Sequence, residues 1–256
     1  MTSPTHTVQA VARALRLLEA LADAGGDGSP EVGVIELARV TGLSAATAHR
    51  LLATLANDGY VTRGAGGVRY RLGARLFVLA ASAESPLVSV RERAAPAMER
   101  LRDAFGESVN LAVLERRHIV YVHQVESQRS VRAFNRVGNR VLAHACAAGK
   151  VLLAGAPAPV LSQMLGGFEL EALTPATITD PALLAQQLAQ VRRCGFAKDL
   201  GEQDAEVICV AAALPVPGLR PEAAISISGP AWRMAARDLD ATGRELVRAL
   251  ALSQAD

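Results

Sequence analysis

The stretch Thr41–Val61, TGLSAATAHRLLATLANDGYV, constrains the fold more than any other part of the chain. Gly42 suits the end of one helix, because glycine takes the left-handed conformation without steric cost. Ser44 then serves as the N-cap of the next helix. In that helix Ala48, Leu51, Leu52 and Leu55 recur at the i, i+3, i+4, i+7 spacing of a buried stripe. A 100° step per residue puts Ala46, Arg50, Ala53 and Asn57 on the opposite side, flanked by Thr47, His49 and Thr54. Upstream, Val8, Val11, Leu15, Leu18 and Leu21–Ala22 predict a first helix ending near AGGDGSP. GVIELARVTG predicts a short second one with Leu37 and Ala38 facing inward.

After Asn57-Asp58-Gly59, the run YVTRGAGGVRYRLG alternates on both sides of a glycine-rich turn, which is a hairpin signal. Val68, Tyr70 and Leu72 should point one way, Arg69 and Arg71 the other. Three short helices followed by a basic hairpin describe a winged helix-turn-helix. Small residues on the outer face of its third helix allow close approach to a duplex. Arginine can read guanine there, and wing arginines can hold the backbone. The candidate DNA-binding residues are Ser44, Ala46, Thr47, His49, Arg50, Thr54, Arg63, Arg69 and Arg71. Between Leu43 and Arg75, Arg50, Arg63, Arg69, Arg71 and Arg75 face only Asp58 in opposition, the local charge excess expected where phosphates are met. The net charge of +2 conceals this asymmetry.

A length of 256 residues suits two modest domains or one large one, and half of the residues are apolar, enough for a real core. No apolar run approaches the roughly 20 residues that span a bilayer. The N-terminus lacks the pattern of a secretion signal. A cytoplasmic protein without membrane contact is expected. Cys146, Cys194 and Cys209 show no metal-ligand spacing and read as reduced thiols; neither a metal nor another cofactor is expected.

From Leu72 to about Ser85 an apolar, helix-prone segment leads to the break at Ser85-Pro86. The resulting division is a DNA-binding domain over 1–72, a linker helix over 73–86 and a second domain over 87–256. The linker helix suits a dimer contact or packing on its own domain. In the second domain, Val88–Phe105 reads as a helix, with Pro96 as a mid-helix irregularity or a break. SVNLAVLERRHIVYVHQVES reads as two strands, and VRAFNRVG as a third. A helix begins near Ala147, and Asp180-Pro181 caps another. GFAKD, VICVAAALPV and EAAISISG read as further strands, with a final amphipathic helix from Ala231 onward. Strands in hairpin order mixed with packing helices give an α+β domain around an antiparallel sheet.

TGLSAATAHRLLATLANDGYV, NLAVLERRHIVYVHQVES, VGNRVLAHACAAGKVLLA, GFAKD, VICVAA and AISISGP together, in this order, resemble the IclR family of bacterial transcription regulators, over about Val8 to Arg248. The resemblance implies a winged helix-turn-helix, a linker helix used in dimerisation, and a GAF-like effector domain, its antiparallel sheet flanked by helices, that binds a small organic acid. It implies a homodimer or homotetramer on a palindromic operator, acting as a repressor or in both senses. It places effector contacts at Ala147 and Ala148, at Asp199 in the loop after GFAK, at Val207 and Cys209, and at Ser226 and Ser228. Amides at a helix start favour an anion, and the two serines share a strand face. LGEQDAEV keeps Glu202 but lacks the histidine usual in the family, which speaks against a metal-assisted site. The prolines of LPVPGLRPEAA should reshape the sheet edge. Lys150 suits either an anion or a solvated surface turn. The alternative is a small-molecule enzyme using Cys146 and His144, with the N-terminal helices as an accessory; no third, orienting residue is evident for it.

Overall fold

The computed structural model describes residues 8–25, 31–64, 66–82, 86–133, 135–167, 169–214 and 223–252. The proline-rich segment expected to reshape the sheet edge lies largely outside them. The chain divides into two compact units, Met1–Ser85 and Pro86–Asp256.

In the first unit the order is α1 (Gln9–Gly25), β1 (Val32–Gly33), α2 (Val34–Thr41), α3 (Ala45–Asn57), β2 (Val61–Arg63), β3 (Arg69–Leu72) and α4 (Ala74–Ser82). Leu17, Leu21, Leu37, Ala38, Ala48, Leu52, Val61 and Tyr70 form its core, with Leu51 and Leu55 packed against it. Gly42 ends α2 at φ 66°, and the Ser44 side chain caps α3 by accepting from Thr47 N. Helices α2 and α3 thus bury the sides that their apolar spacing predicts. Helix α1 does so only in part. Its buried residues are Leu17, Ala20 and Leu21, while Val8, Val11 and Leu15 are exposed. The hairpin is also wider than a two-stranded wing, because β1 adds to it in the order β1-β3-β2. Of its expected apolar face only Tyr70 is buried; Val68 and Leu72 are exposed.

The second unit holds α5 (Pro86–Phe105), β4 (Ser108–Glu115), β5 (His118–Val125), β6 (Arg140–Leu142), a 3-10 turn (Ala143–Ala145) and α6 (Ala147–Gly155). These are followed by α7 (Ala158–Leu165), α8 (Pro181–Cys194), β7 (Phe196–Leu200), β8 (Val207–Leu214), β9 (Ala223–Pro230), α9 (Ala231–Met234) and α10 (Leu239–Leu252). The strands form one sheet, β6-β5-β4-β9-β8-β7, and every neighbouring pair is antiparallel. Strand alternation divides the core in two. Leu111, Val210, Ile225 and Ile227 join Met98 and Leu101 of α5 and Leu246 and Leu250 of α10. Ala112, Cys209, Ala211 and Ala224 join Leu152 and Leu153 of α6 and Leu184 and Leu188 of α8.

Pro96 sits on an exposed side of α5, where its missing N–H is tolerated and the helix runs on. The described residues of VRAFNRVG form no strand. Val131 and Val137 are exposed, Gly138 turns the chain at φ 90°, and the partner of β5 is Arg140–Leu142 instead. The helix expected from Ala231 onward is split in two. Asp238 Oδ1 accepts from the amides of Asp240 and Ala241 and so starts α10 afresh.

Candidate functional site

The outward side of α3 carries Ala46, His49, Arg50, Thr54 and Asn57, all exposed. Ser44 Oγ lies 2.9 Å from Thr47 Oγ1, so the helix cap and the half-buried Thr47 are tied together. Thr54 Oγ1 donates back to Arg50 O at 3.2 Å, which leaves its lone pairs outward. The wing arginines do not share a face. Arg63 lies opposite Tyr70 in register, with its guanidinium 5.9 Å from that ring. Arg69 and Arg71 point to the other side, and Arg69 donates to Glu31 O at 2.6 Å, bracing β3 against the start of β1. Arg50 and Arg71 are exposed on α3 and on the wing, where a duplex could reach them.

In the second unit the residues scattered through the sequence converge by register. Asp199 on β7 stands opposite Cys209 on β8, and Cys209 opposite Ser228 on β9. One row further along, Ser226 on β9 stands opposite Asn110 on β4, and Asn110 opposite Gln124 on β5. Opposed residues of antiparallel strands share a face, and here it is the α6 side. Val207 lies two residues before Cys209 on that side, half-buried against the same cluster. Asp199 is therefore a strand residue and not a loop residue as expected. Its Oδ1 accepts from Glu202 N at 2.6 Å, which shapes the turn that follows β7.

Helix α6 begins at Ala147 and Ala148, both buried, and Cys146 at its N-cap offers no side-chain cap bond. The first amides of a helix lack helical partners and carry its positive pole. Gly149 permits this arrangement, since a Cβ there would lie 2.2 Å from Ala143 O in the preceding turn. Lys150 is fully buried and paired with Glu202, so it is neither a surface-turn residue nor a free anion anchor.

Burial pushes the Asp199 carboxyl up to about 7, with the Glu202 N–H opposing and the Glu202 charge adding to the rise. Burial likewise pushes the Cys146 thiol up to about 12 and the Cys209 thiol well above its ordinary value. Protonated thiols are poor nucleophiles. His144 Nε2 lies 3.0 Å from Glu171 O, and burial lowers its pKa. The pair required by the enzyme alternative is thus spent on packing and on a backbone contact. Among the described residues no three His, Cys, Asp or Glu side chains gather as they would around a metal ion. Asn110, Gln124 and the Lys150–Glu202 pair were missed in the sequence. The one available signal was a lone asparagine within the apolar strand NLAVLE.

Family comparisons agree with this two-part geometry. The model of the IclR helix-turn-helix domain matches residues 10–65, and that of the bacterial transcriptional regulator IclR C-terminal domain matches residues 86–254. The chain belongs to the IclR family. It is 34% identical over 244 residues to the HTH-type transcriptional regulator BhcR of Paracoccus denitrificans, covering 94% of this chain and 85% of that protein. It is 33% identical to the transcriptional repressor IclR of Escherichia coli, covering 90% and 83%. Among solved structures, an IclR homolog of Microbacterium hydrocarbonoxydans complexed with 4-hydroxybenzoate superposes with a TM-score of 0.76 at 29% identity, covering 94% of this chain and 96% of that one. As an IclR-family member the protein is a DNA-binding transcriptional regulator with a ligand-binding C-terminal domain, and not an enzyme. Among the described residues no helix is long and apolar enough to cross a membrane.

Proposed function

We propose that this regulator represses transcription by laying α3 in the major groove of a palindromic operator, and that a small organic acid bound in the second unit modulates that grip. Arg50 is the base reader, with Ser44, Ala46, Thr47, His49 and Thr54 around it. Arg63, Arg69 and Arg71 hold the backbone beside it. Residues 1–72 act as the DNA-binding domain, 73–86 as the linker and 87–256 as the effector domain. The protein works as a homodimer or homotetramer. Exposed Val8 just before α1, Val11 and Leu15 on it, and Phe77 and Leu79 on α4 supply apolar surface suited to such a contact.

One observation carries the effector reading. The start of α6 and the cross-strand row Asp199–Cys209–Ser228 belong to the same side of the sheet, bringing a helix N-terminus together with buried hydrogen-bonding groups. A carboxylate fits the helix start, and the complex of the Microbacterium homolog holds a carboxylate ligand. Operator and effector affinities are then reciprocally coupled. A thermal-shift screen of carboxylate metabolites, with each hit retested by fluorescence anisotropy on upstream intergenic DNA, tests the proposal. The expected result is an acid that stabilises the protein and changes operator affinity. Hits that leave DNA binding untouched, or respond normally in Ser226→Ala/Ser228→Ala, would refute the site.

A further inference from the structure

Gln124, Asn110, Ser226 and Ser228 form a continuous line of side chains across β5, β4 and β9. Asn110 and both serines are sealed from solvent. One end of the Asn110 amide lies 3.4 Å from Ser226 Oγ and 3.0 Å from Ser228 Oγ; its other end lies 3.0 Å from the Gln124 amide. The direction in which these amides point decides what the serines can offer a ligand.

That direction is set by the main chain. Gln124 reaches the backbone of Asn135, and only one amide orientation suits both groups there. Its nitrogen then donates to Asn135 O at 2.7 Å and its oxygen accepts from Asn135 N at 3.1 Å. The reverse would press oxygen against oxygen and N–H against N–H. Oriented by Asn135, Gln124 turns its carbonyl toward Asn110. Asn110 must answer with its NH2 group, so its own oxygen faces the serines. Each hydroxyl has a single proton to give. An amide oxygen within reach takes it, more firmly from Ser228 at the shorter distance. The Cys209 thiol, opposite Ser228, is a second hydrogen-bond partner of that hydroxyl, and the remaining serine lone pairs are left for a ligand.

We propose that the Asn135–Gln124–Asn110 relay makes Ser226 and Ser228 hydrogen-bond acceptors, so that the effector is a hydroxy acid. Its carboxylate sits at the start of α6 and its hydroxyl donates to the serines. This rests on the organic-acid reading of the site and narrows it to one ligand class. Asn110 and Gln124 act here as positioning residues.

The test is isothermal titration calorimetry on the full chain with matched acids in which O-methylation removes the donor and adds one methyl group. Suitable pairs are 4-hydroxybenzoate with 4-methoxybenzoate, lactate with 2-methoxypropionate, and 3-hydroxybutyrate with 3-methoxybutyrate. The best-binding pair should favour its hydroxy member by about tenfold or more. Asn110→Leu frees the serine protons to donate to an ether oxygen, so the methoxy acid should gain affinity and the preference should fall to within about twofold. Gln124→Leu, at a half-buried position, lets the Asn110 amide turn and should narrow the preference in the same sense should Asn110→Leu not fold. Equal binding of both members by the unaltered protein overturns the proposal, as does a preference that survives both substitutions. If none of the acids binds, the organic-acid reading fails first and this inference falls with it.

Discussion

Lys150 Nζ meets a carboxylate oxygen of Glu202 where both side chains are closed off from water. The ammonium also donates to Lys198 O on β7 at 3.2 Å, so one lysine joins α6 to the edge strand and to the turn beyond it. The second Glu202 carboxylate oxygen finds no partner among the described residues. A buried charge that loses its counter-charge is costly, whereas replacing both by apolar groups often is not. Lys150→Met should therefore destabilise the second unit by about 3–5 kcal/mol. Lys150→Met/Glu202→Leu should recover much of that loss. Urea unfolding followed through Trp232, the sole tryptophan of the chain, reads both. A neutral Lys150→Met would show that the pair does not fasten α6.

Gly149 offers a sharper test of how the start of α6 is held. An added Cβ would meet Ala143 O and Cα at 2.2 and 2.4 Å, both backbone atoms that cannot swing aside. Gly149→Ala should cost roughly 1–3 kcal/mol, by analogy with overpacked cores. It should also weaken effector binding at least as much as it lowers Tm. Unchanged affinity in a folded variant would mean that the first turn of α6 does not touch the effector.

What could be read from the sequence was local. Gly42, Ser44 and Asp180 announce helix ends because a cap depends only on its near neighbours, and each caps as its residue type requires. The faces of α2 and α3 followed from spacing for the same reason. Val8, Val11 and Leu15 show the limit of such reasoning: periodicity identifies an apolar stripe without saying what covers it. The row Asp199–Cys209–Ser228 was legible as a candidate site only through family resemblance. Asn110 and Ser226 are 116 positions apart and meet because two hairpins share a sheet, a register no local pattern encodes. Lys150 was misjudged for a like reason, its partner lying 52 positions away.

Asp199 should make both stability and effector binding depend on pH. Its ordinary value of 3.8 is raised to about 7, chiefly by burial. Folding thus favours the protonated carboxyl. The associated stability is fully present below about pH 4 and is lost as pH rises through 7. Asp199→Asn should remove this dependence, and wild-type Tm should fall relative to the variant between pH 5 and 8. The difference is on the order of a few kcal/mol. An anionic effector beside Asp199 also favours its protonated form, so a carboxylate should bind more tightly at pH 6 than at pH 8. Titration calorimetry at the two values, with the Asn variant expected to be flat, decides the point.

The DNA-facing side chains should separate into readers and holders. Arg50→Ala removes the one long cation from the outer face of α3. It should cost on the order of 1–3 kcal/mol on the preferred operator and much less on scrambled DNA, relaxing base discrimination. Arg71→Ala should weaken binding to both DNAs alike and reduce the salt slope by about one. Arg69→Ala should do the same and in addition lower the stability of the first unit slightly, because Arg69 braces Glu31 O. Anisotropy titrations of the three variants across a salt series distinguish these roles. Were Arg50→Ala to weaken specific and scrambled DNA equally, Arg50 would be a backbone contact and base reading would have to come from another part of α3.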